Sequence, residues 1–403
     1  MGIVIKKFGG TSVESIEKIS RIAEHLASEK EKGDDIVVVV SAMGKTTDEL
    51  FRLAFEITKT PNQREMDMLL SAGERITMAL LSLSLQKLHI QSISFTGSQS
   101  GIITDNSHGN AKILTVNAFR ILEELQKGKI VIVAGFQGVS LEKEITTLGR
   151  GGSDTTAVAL ASFLKAKKCE IFTDVKGVYQ ADPKMIPDSK KIEKLTYEEM
   201  LYMSFTGSKV LHSRAVEFAL KYEMPVEIKS SIDYKEGTMI GDFNHGISTS
   251  LQHGAMEKTT VKALSHKENI VIFNVMITDE EIPIFNTEIF DIEIYTEVPE
   301  LMGAKSARIL IEKTYKEKFI NELNINNLSF KIENENYTVI NLLGYRINRD
   351  ISFLSNLYSF LKKNCDKPIA VQNQGIGVQL TIEQSESEKV IEYLYKTYIG
   401  SEL

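Results

Sequence analysis

The chain has only two cysteines, Cys169 and Cys365, far apart and in neither a metal-binding nor a redox spacing, so free buried thiols in a reducing compartment are expected. It also lacks a basic excess. With 47 Lys and Arg against 54 Asp and Glu, the net charge of −7 speaks against a nucleic-acid partner. Any polyanionic ligand must then be held by a local cluster of cations and backbone N–H groups. No apolar run approaches the ~18 residues that cross a bilayer, and the stretch Met1 to Lys7 lacks the apolar region of a signal peptide, so we expect a cytoplasmic protein without a membrane partner. His245 and His253 have no partner at ligand spacing, and no protein metal site is expected. Low-complexity tracts are missing too, and 42% hydrophobic with 25% charged residues is ordinary for a globular chain. A length of 403 residues suggests two or three domains.

What is present centres on Thr147-Leu148-Gly149-Arg150-Gly151-Gly152-Ser153-Asp154-Thr155-Thr156-Ala157. It follows a β-rich approach and opens a helical run from Ala157 to Lys168, so its glycines fall at a helix start. Unpaired N–H groups and partial positive charge there can receive an anion. Glycines let the backbone approach a ligand, Ser153 or Asp154 can cap the helix, and the planar fork of Arg150 suits a carboxylate or phosphate. On this stretch alone, a glycine-rich turn with a solvated arginine is an equal alternative.

Earlier in the chain, Ile3-Val4-Ile5 runs into Lys6-Lys7-Phe8-Gly9-Gly10-Thr11-Ser12 and then an amphipathic helical pattern to Ser28. Thr11 and Glu14 have capping-box spacing, which would start the helix at the glycines and aim Lys7 at whatever anion sits there. Asp35 to Val40 is apolar on both faces, as in a buried parallel strand, and ends in the small, polar Ser41-Ala42-Met43-Gly44. Arg64 to Leu88 reads as one long helix, and its Ser71-Ala72-Gly73 step leaves room beside Glu74 for a ligand. Further strands at Ser92 to Phe95, Lys129 to Ala134, Cys169 to Asp174 and Val226 to Ser230 alternate with helices, Met200 to Lys221 among them. Such alternation argues for a parallel sheet covered on both faces. Tyr179 and Pro183 could shape a nucleobase slot. Residues 243–258, rich in Gly, Ser, His and Asn, read as a linker.

Beyond the linker, short alternating strands give way to a helix near Lys316 to Leu323, and the latter half, with elements from Tyr337 to Tyr398, reads as βαββα, a ferredoxin-like arrangement.

Taken together, seven collinear blocks over roughly residues 2 to 241 resemble the aspartate kinases of the amino-acid kinase superfamily. They are Lys7 to Ser12; Val40 to Gly44; Glu65-Met66-Asp67 with Ser71 to Glu74; Gly135-Phe136-Gln137-Gly138; Thr147 to Ala157; Thr173-Asp174-Val175 with Gly177-Val178-Tyr179; and Gly207-Ser208-Lys209-Val210-Leu211-His212. The resemblance implies a three-layer αβα sandwich with a mostly parallel sheet over residues 1–242, followed over 259–403 by two α+β ferredoxin-like, ACT-type modules. It implies ATP-dependent phosphorylation of the β-carboxylate of L-aspartate, with Mg²⁺ carried by ATP. Lys7 and Lys209 match lysines that neutralise the transferring phosphoryl group, and Asp154 an aspartate near the reacting groups. Gly9, Gly10 and Ser41 match the loops around it. Glu74 matches the acceptor of the substrate ammonium and Arg150 the clamp on a substrate carboxylate, with Ser41, Thr47 and Ser153 also on the substrate side. Thr173, Asp174, Tyr179 and Lys184 match nucleotide-side contacts. A carboxylate with a pKa of ~4 is already ionised near pH ~7, so positioning and charge neutralisation suffice and no general base is needed.

Lys184 stands where the family commonly has arginine, which puts nucleotide affinity in question, and Ser213 where proline is common. ACT modules in this family usually bind lysine or threonine and dimerise. In this chain Ile277 to Thr287 contains no glycine and a helix-discouraging Pro283, and Tyr345-Arg346-Ile347-Asn348-Arg349-Asp350 replaces a Pro-Gly turn. We therefore expect weak, altered or absent feedback, and a homodimer or larger homo-oligomer. Two other assignments stay open: a kinase for glutamate or acetylglutamate, and a non-catalytic amino-acid sensor on a kinase-like scaffold.

Overall fold

A computed structural model describes residues 2–243, 259–277, 293–295, 305–333, 335–365 and 370–400. The chain divides into two compact units. The first runs to Tyr179 and resumes over Lys191–Phe205 and from Lys209 towards the linker. The second gathers Gln180–Lys190, Thr206–Ser208 and the C-terminal region.

The first unit opens with β1 (Ile3–Phe8), α1 (Ile16–Lys30), β2 (Asp35–Val40), α2 (Thr46–Ile57), α3 (Gln63–Leu70) and α4 (Ala72–Lys87). It continues with β3 (Ser92–Phe95), β4 (Ile102–Thr104), β5 (Ile113–Val116), α5 (Phe119–Gln126), β6 (Ile130–Ala134), β7 (Gln137–Ser140) and β8 (Ile145–Thr147). Then come α6 (Gly152–Phe163), β9 (Lys168–Thr173), β10 (Lys194–Leu195), α7 (Tyr197–Phe205), α8 (Ser213–Lys221), β11 (Val226–Ser230) and β12 (Thr238–Ile240). Eight strands form one sheet in the order β10-β12-β11-β9-β1-β2-β6-β3, parallel throughout except where β11 meets β12. Helices cover both faces. Phe8, Val38, Val40, Ile130 and Ile132 pack beneath α1 and α4, while α6 lies against β1, β2 and β9 from the other side. The α/β sandwich read from the alternation is therefore present. Strand periodicity sends the adjacent lysines of β1 to opposite faces. Lys6 joins Glu29 of α1 at 3.2 Å and the buried Glu170, whereas Lys7 reaches Asp154 of α6.

Several boundaries differ from the sequence expectation, each for a local reason. Helix α1 is capped by Ser15, whose hydroxyl accepts from the Lys18 amide at 3.3 Å, and a 3₁₀ turn over Gly10–Ser12 replaces the Thr11 cap. The Arg64 to Leu88 run is two helices broken at Ser71. Helix α6 begins at Gly152 and ends before Lys168, which opens β9, and its cap is Gly151 in the left-handed conformation, so neither Ser153 nor Asp154 caps it. Met200 to Lys221 is likewise two helices separated by the Gly207 to His212 segment. A four-stranded sheet in the order β5-β4-β7-β8, together with α2 and α5, has no counterpart in the sequence reading. The stretch Gln63–Lys87 is long and apolar enough by composition to cross a membrane, contrary to the expectation of no such run. Half of that window is buried in the protein, as in a core helix.

In the second unit, β13 (Thr260–Ile277) is the central strand of an antiparallel sheet with β14 (Glu293–Tyr295), β15 (Lys305–Glu312), β16 (Phe330–Ile332), β17 (Tyr337–Tyr345), β18 (Ala370–Gln374) and β19 (Gly377–Glu383). Its helices are α9 (Lys316–Ile325), α10 (Ile351–Asn364) and α11 (Ser387–Leu394). The expected βαββα order appears as β17, α10, β18, β19, α11. Helix α9 packs Phe319 and Leu323 onto Phe273, Ile309 and Ile311, while α10 and α11 pack onto Ile340, Leu342, Leu380 and Ile382. These antiparallel sheet-and-helix modules are consistent with ACT-type domains. In the turn before α10, Arg346 is left-handed at φ 62° and Asp350 caps the helix, accepting from Phe353 N at 3.1 Å. The segment from residue 278 to 287 and nearly all of 243–258, with His245 and His253, lie outside the described residues.

Candidate functional site

Because β9, β1, β2 and β6 are adjacent and parallel, their carboxyl ends open on one edge, where open α/β sheets bind ligands. Backbone hydrogen bonds lace the four turns together. Gly9 N donates to Phe172 O, Ser41 N to Phe8 O, Gly44 N to Gly10 O and Gly135 N to Val40 O, all within 3.0–3.2 Å. Two glycines are needed for the closeness. A Cβ on Gly10 would lie 3.1 Å from Ala42 O, and one on Gly135 would lie 2.8 Å from Ser153 Oγ. Ser41 thus sits at the end of β2, Ser153 faces the end of β6 from the first turn of α6, and Thr47 lies half-buried in the first turn of α2.

Lys7 is mostly buried, and its Nζ lies 2.5 Å from Asp154 Oδ1 and 3.5 Å from where a Gly9 Cβ would stand. A cation, a carboxylate and a bare glycine backbone therefore share one spot. Glu74, in the first turn of α4, is 3% exposed; its Oε1 accepts from Ala42 N at 3.1 Å, and its Oε2 has no partner. Burial pushes its pKa up to about 7, opposed by the amide hydrogen bonds at Glu74 and Ala42. A buried, half-satisfied carboxyl group of this kind can receive a ligand ammonium. Gly73 permits the approach, since a Cβ there would lie 2.7 Å from the Ala42 Cβ.

Arg150 is exposed, one residue ahead of the left-handed Gly151. A Cβ on Gly151 would strike the His212 ring at 2.2 Å, so the segment ending in His212 leans on the glycine turn, and exposed Lys209 belongs to that segment. Arg214 fixes the same turn, donating to Leu148 O and Ala111 O at 2.6 Å each and to Asn110 Oδ1 at 3.3 Å. At the end of β9, Thr173 Oγ1 donates to the exposed Asp174 at 3.0 Å, and half-buried Tyr179 bridges to Lys191. Lys184 belongs to the second unit, where it lines an open cleft of about 650 Å³ with Asp188 and Glu392. Among the described residues no three His, Cys, Asp or Glu side chains cluster as a metal would require.

The model of the amino acid kinase family matches residues 2–230. The chain belongs to the amino acid kinase family. Within this kinase family, the aspartokinase of Geobacillus stearothermophilus is 56% identical over 240 residues, 60% of this chain and 59% of the relative. The chain thus spans about three-fifths of the length of such curated relatives. The crystal structure of aspartate kinase from Synechocystis is 30% identical with a TM-score of 0.56, covering 98% of this chain and 69% of that one. The Escherichia coli aspartokinase III structure with aspartate and ADP superposes with a TM-score of 0.78 over 98% of this chain and 99% of that one; at 21% identity it shows a shared fold. Asn110 and Arg214, which hold the glycine turn, were not singled out from sequence, and Asp67 was quoted there only as part of a motif block. Asp67 did leave a signal, a carboxylate on the apolar stripe beside Met66 and Leu70.

Proposed function

We propose that this protein catalyses ATP-dependent phosphorylation of the β-carboxylate of L-aspartate, giving 4-phospho-L-aspartate and ADP, the entry step to lysine, threonine and methionine biosynthesis. The observation that carries the proposal is the convergence of Lys7, Asp154, Glu74, Ser41 and Ser153 with bare glycine backbone at the carboxyl ends of four adjacent parallel strands. In this proposal residues 1–242 are the kinase domain, 243–258 the linker, and 259–403 two divergent ACT-like modules for regulation or assembly as a homo-oligomer.

Glu74 accepts the substrate ammonium on its unpartnered oxygen, and Arg150 grips the α-carboxylate through its fork. Ser41, Thr47 and Ser153 orient the β-carboxylate. That carboxylate forms a bond to the γ-phosphorus as the bond from phosphorus to the β,γ-bridging oxygen breaks. Lys7 and Lys209 neutralise the charge on the moving group and the Gly9-Gly10 backbone lets it approach. Asp154 holds the Lys7 ammonium in place. Thr173, Asp174 and Tyr179 take the nucleotide. Mg²⁺ arrives with ATP, held chiefly by phosphates and water, where it offsets phosphate charge.

ADP release by the purified protein, measured with L-aspartate, L-glutamate and N-acetylglutamate in parallel, tests the assignment. Release dependent on aspartate alone supports it. A preference for either other acid moves the protein to another activity of the family, and release with none of them supports the sensor alternative.

A further inference from the structure

Resting on that assignment, we infer that Asp67 is a positioning residue that gauges the length of the amino acid by tying the ammonium end of the site to its carboxylate end. Asp67 is 0% exposed and lies on α3, whose chain passes through Ser71 directly into α4 and Glu74. Its carboxylate does not reach the glycine-lined edge itself. Instead Oδ1 accepts from Thr147 Oγ1 at 2.5 Å and from Gly109 N at 3.1 Å, while Oδ2 meets His108 Nδ1 at 2.6 Å. A buried carboxylate is costly unless such donors satisfy it, so the group is fixed rather than mobile.

What it fixes is the start of the glycine turn. Thr147 is the last residue of β8 and precedes Leu148, Gly149 and Arg150. The loop that Asp67 also holds braces that turn from the side. Ala111 N donates to Thr147 O at 2.9 Å, and a Cβ on Gly149 would lie 2.9 Å from Asn110 Oδ1 and 3.1 Å from Gly109 O. Arg214 closes the same arrangement through Leu148 O, Ala111 O and Asn110. A second tie runs through Ser71, whose carbonyl accepts from Gln137 Nε2 of β7 at 2.9 Å. The helix pair bearing Glu74 is thereby bonded to the two strands that lead into Arg150.

The consequence concerns specificity. Aspartate and glutamate differ by one methylene, so a site that grips both the ammonium and the α-carboxylate distinguishes them by where the side-chain carboxylate then falls. Loosening the tie between Glu74 and Arg150 lets the longer acid adjust, while it degrades the fit of the shorter one. Misplacement of about 1 Å by a residue remote from the chemistry can cost about 100-fold in rate.

The test compares Asp67→Asn and Thr147→Val with Thr147→Ser, which keeps the hydroxyl. For the first two, kcat/KM for aspartate is expected to fall about 10- to 100-fold, the change that follows loss of a charge-assisted hydrogen bond. KM for ATP should stay within about twofold, since the nucleotide-side residues are not tied to Asp67, and the ratio of aspartate to glutamate turnover should fall. Thr147→Ser should match the wild type. In parallel, hydrogen exchange at the amides of residues 148–152 should accelerate in Asp67→Asn while those of β1 and β2 do not. If the variants lose only thermal stability, with the acid preference and the exchange pattern intact, Asp67 is merely structural and the inference is overturned. Should the wild type turn over no amino acid, the proposed function fails by itself, and the exchange measurement still decides whether Asp67 holds the turn.

Discussion

The backbone amide of Ala42 donates to Glu74 Oε1 across 3.1 Å, joining the end of β2 to the first turn of α4, while Oε2 of the same carboxylate has no partner and no water-facing surface. Burial raises the Glu74 pKa to about 7. Between the ordinary carboxyl value and about 7 the folded protein therefore holds a proton that the unfolded chain has released, so this group's contribution to stability declines as pH rises through that window. Glu74→Gln removes the dependence. Its melting temperature should exceed that of the ligand-free wild type at pH ~8 by an amount reflecting roughly 2–3 kcal/mol, with little gain at pH ~5. An ammonium ligand requires the ionised form, so wild-type affinity for aspartate should weaken as pH falls below about 7, and Glu74→Gln should bind it poorly at every pH.

Neighbouring lysines of β1 should separate stability from turnover. Lys7→Ala leaves the core intact but removes the cation beside Asp154, so turnover should drop about 100- to 1,000-fold, the scale for losing one preorganised charge stabiliser. Lys6→Ala strips a partner from Glu170, whose pKa the surrounding lysines hold at about 2 against the effect of burial, and should cost about 1–3 kcal/mol of stability. Steady-state kinetics and chemical denaturation on both variants check the division. Full activity in Lys7→Ala would refute its role.

Gly73→Ala places a methyl 2.7 Å from the Ala42 Cβ and pushes the Glu74 turn away from its amide partner. KM for the amino acid should rise, with about 1–3 kcal/mol of lost stability as for other overpacked sites. Gly151→Ala faces both a left-handed φ of 69° and the His212 ring, and should be the more damaging of the two.

Feedback should be weak. The turn preceding α10 is closed by a left-handed Arg346 and the Asp350 cap in place of the Pro-Gly turn, so lysine and threonine, alone or together, are expected to leave activity nearly unchanged at low-millimolar concentration. Strong inhibition by either would show that an effector pocket survives.

The parallel sheet was legible because β2 and β6 are apolar on both faces, a pattern only a doubly covered strand produces. Lys7, Glu74 and Arg150 drew attention in the sequence because glycine or other small residues flank them. The four-stranded sheet of β4, β5, β7 and β8 was not, since three- and four-residue strands give too few alternations to register. The hydrogen bonds of Asp67 and Arg214 escaped notice for another reason. Their partners, Thr147 and Leu148, lie 80 and 66 residues away, and only the folded chain brings them into contact. The break at Ser71 was visible as a small-residue step, but not as the point where Gln137 of β7 grips the helix pair.

The most direct measurement of the central claim is hydroxylamine trapping of the product formed from ATP and L-aspartate, with the hydroxamate identified by mass spectrometry and ADP counted in the same sample. The expected result is β-aspartyl hydroxamate in equal amount to ADP, and its loss in Lys7→Ala. ADP without hydroxamate, or hydroxamate formed from glutamate instead, would contradict it.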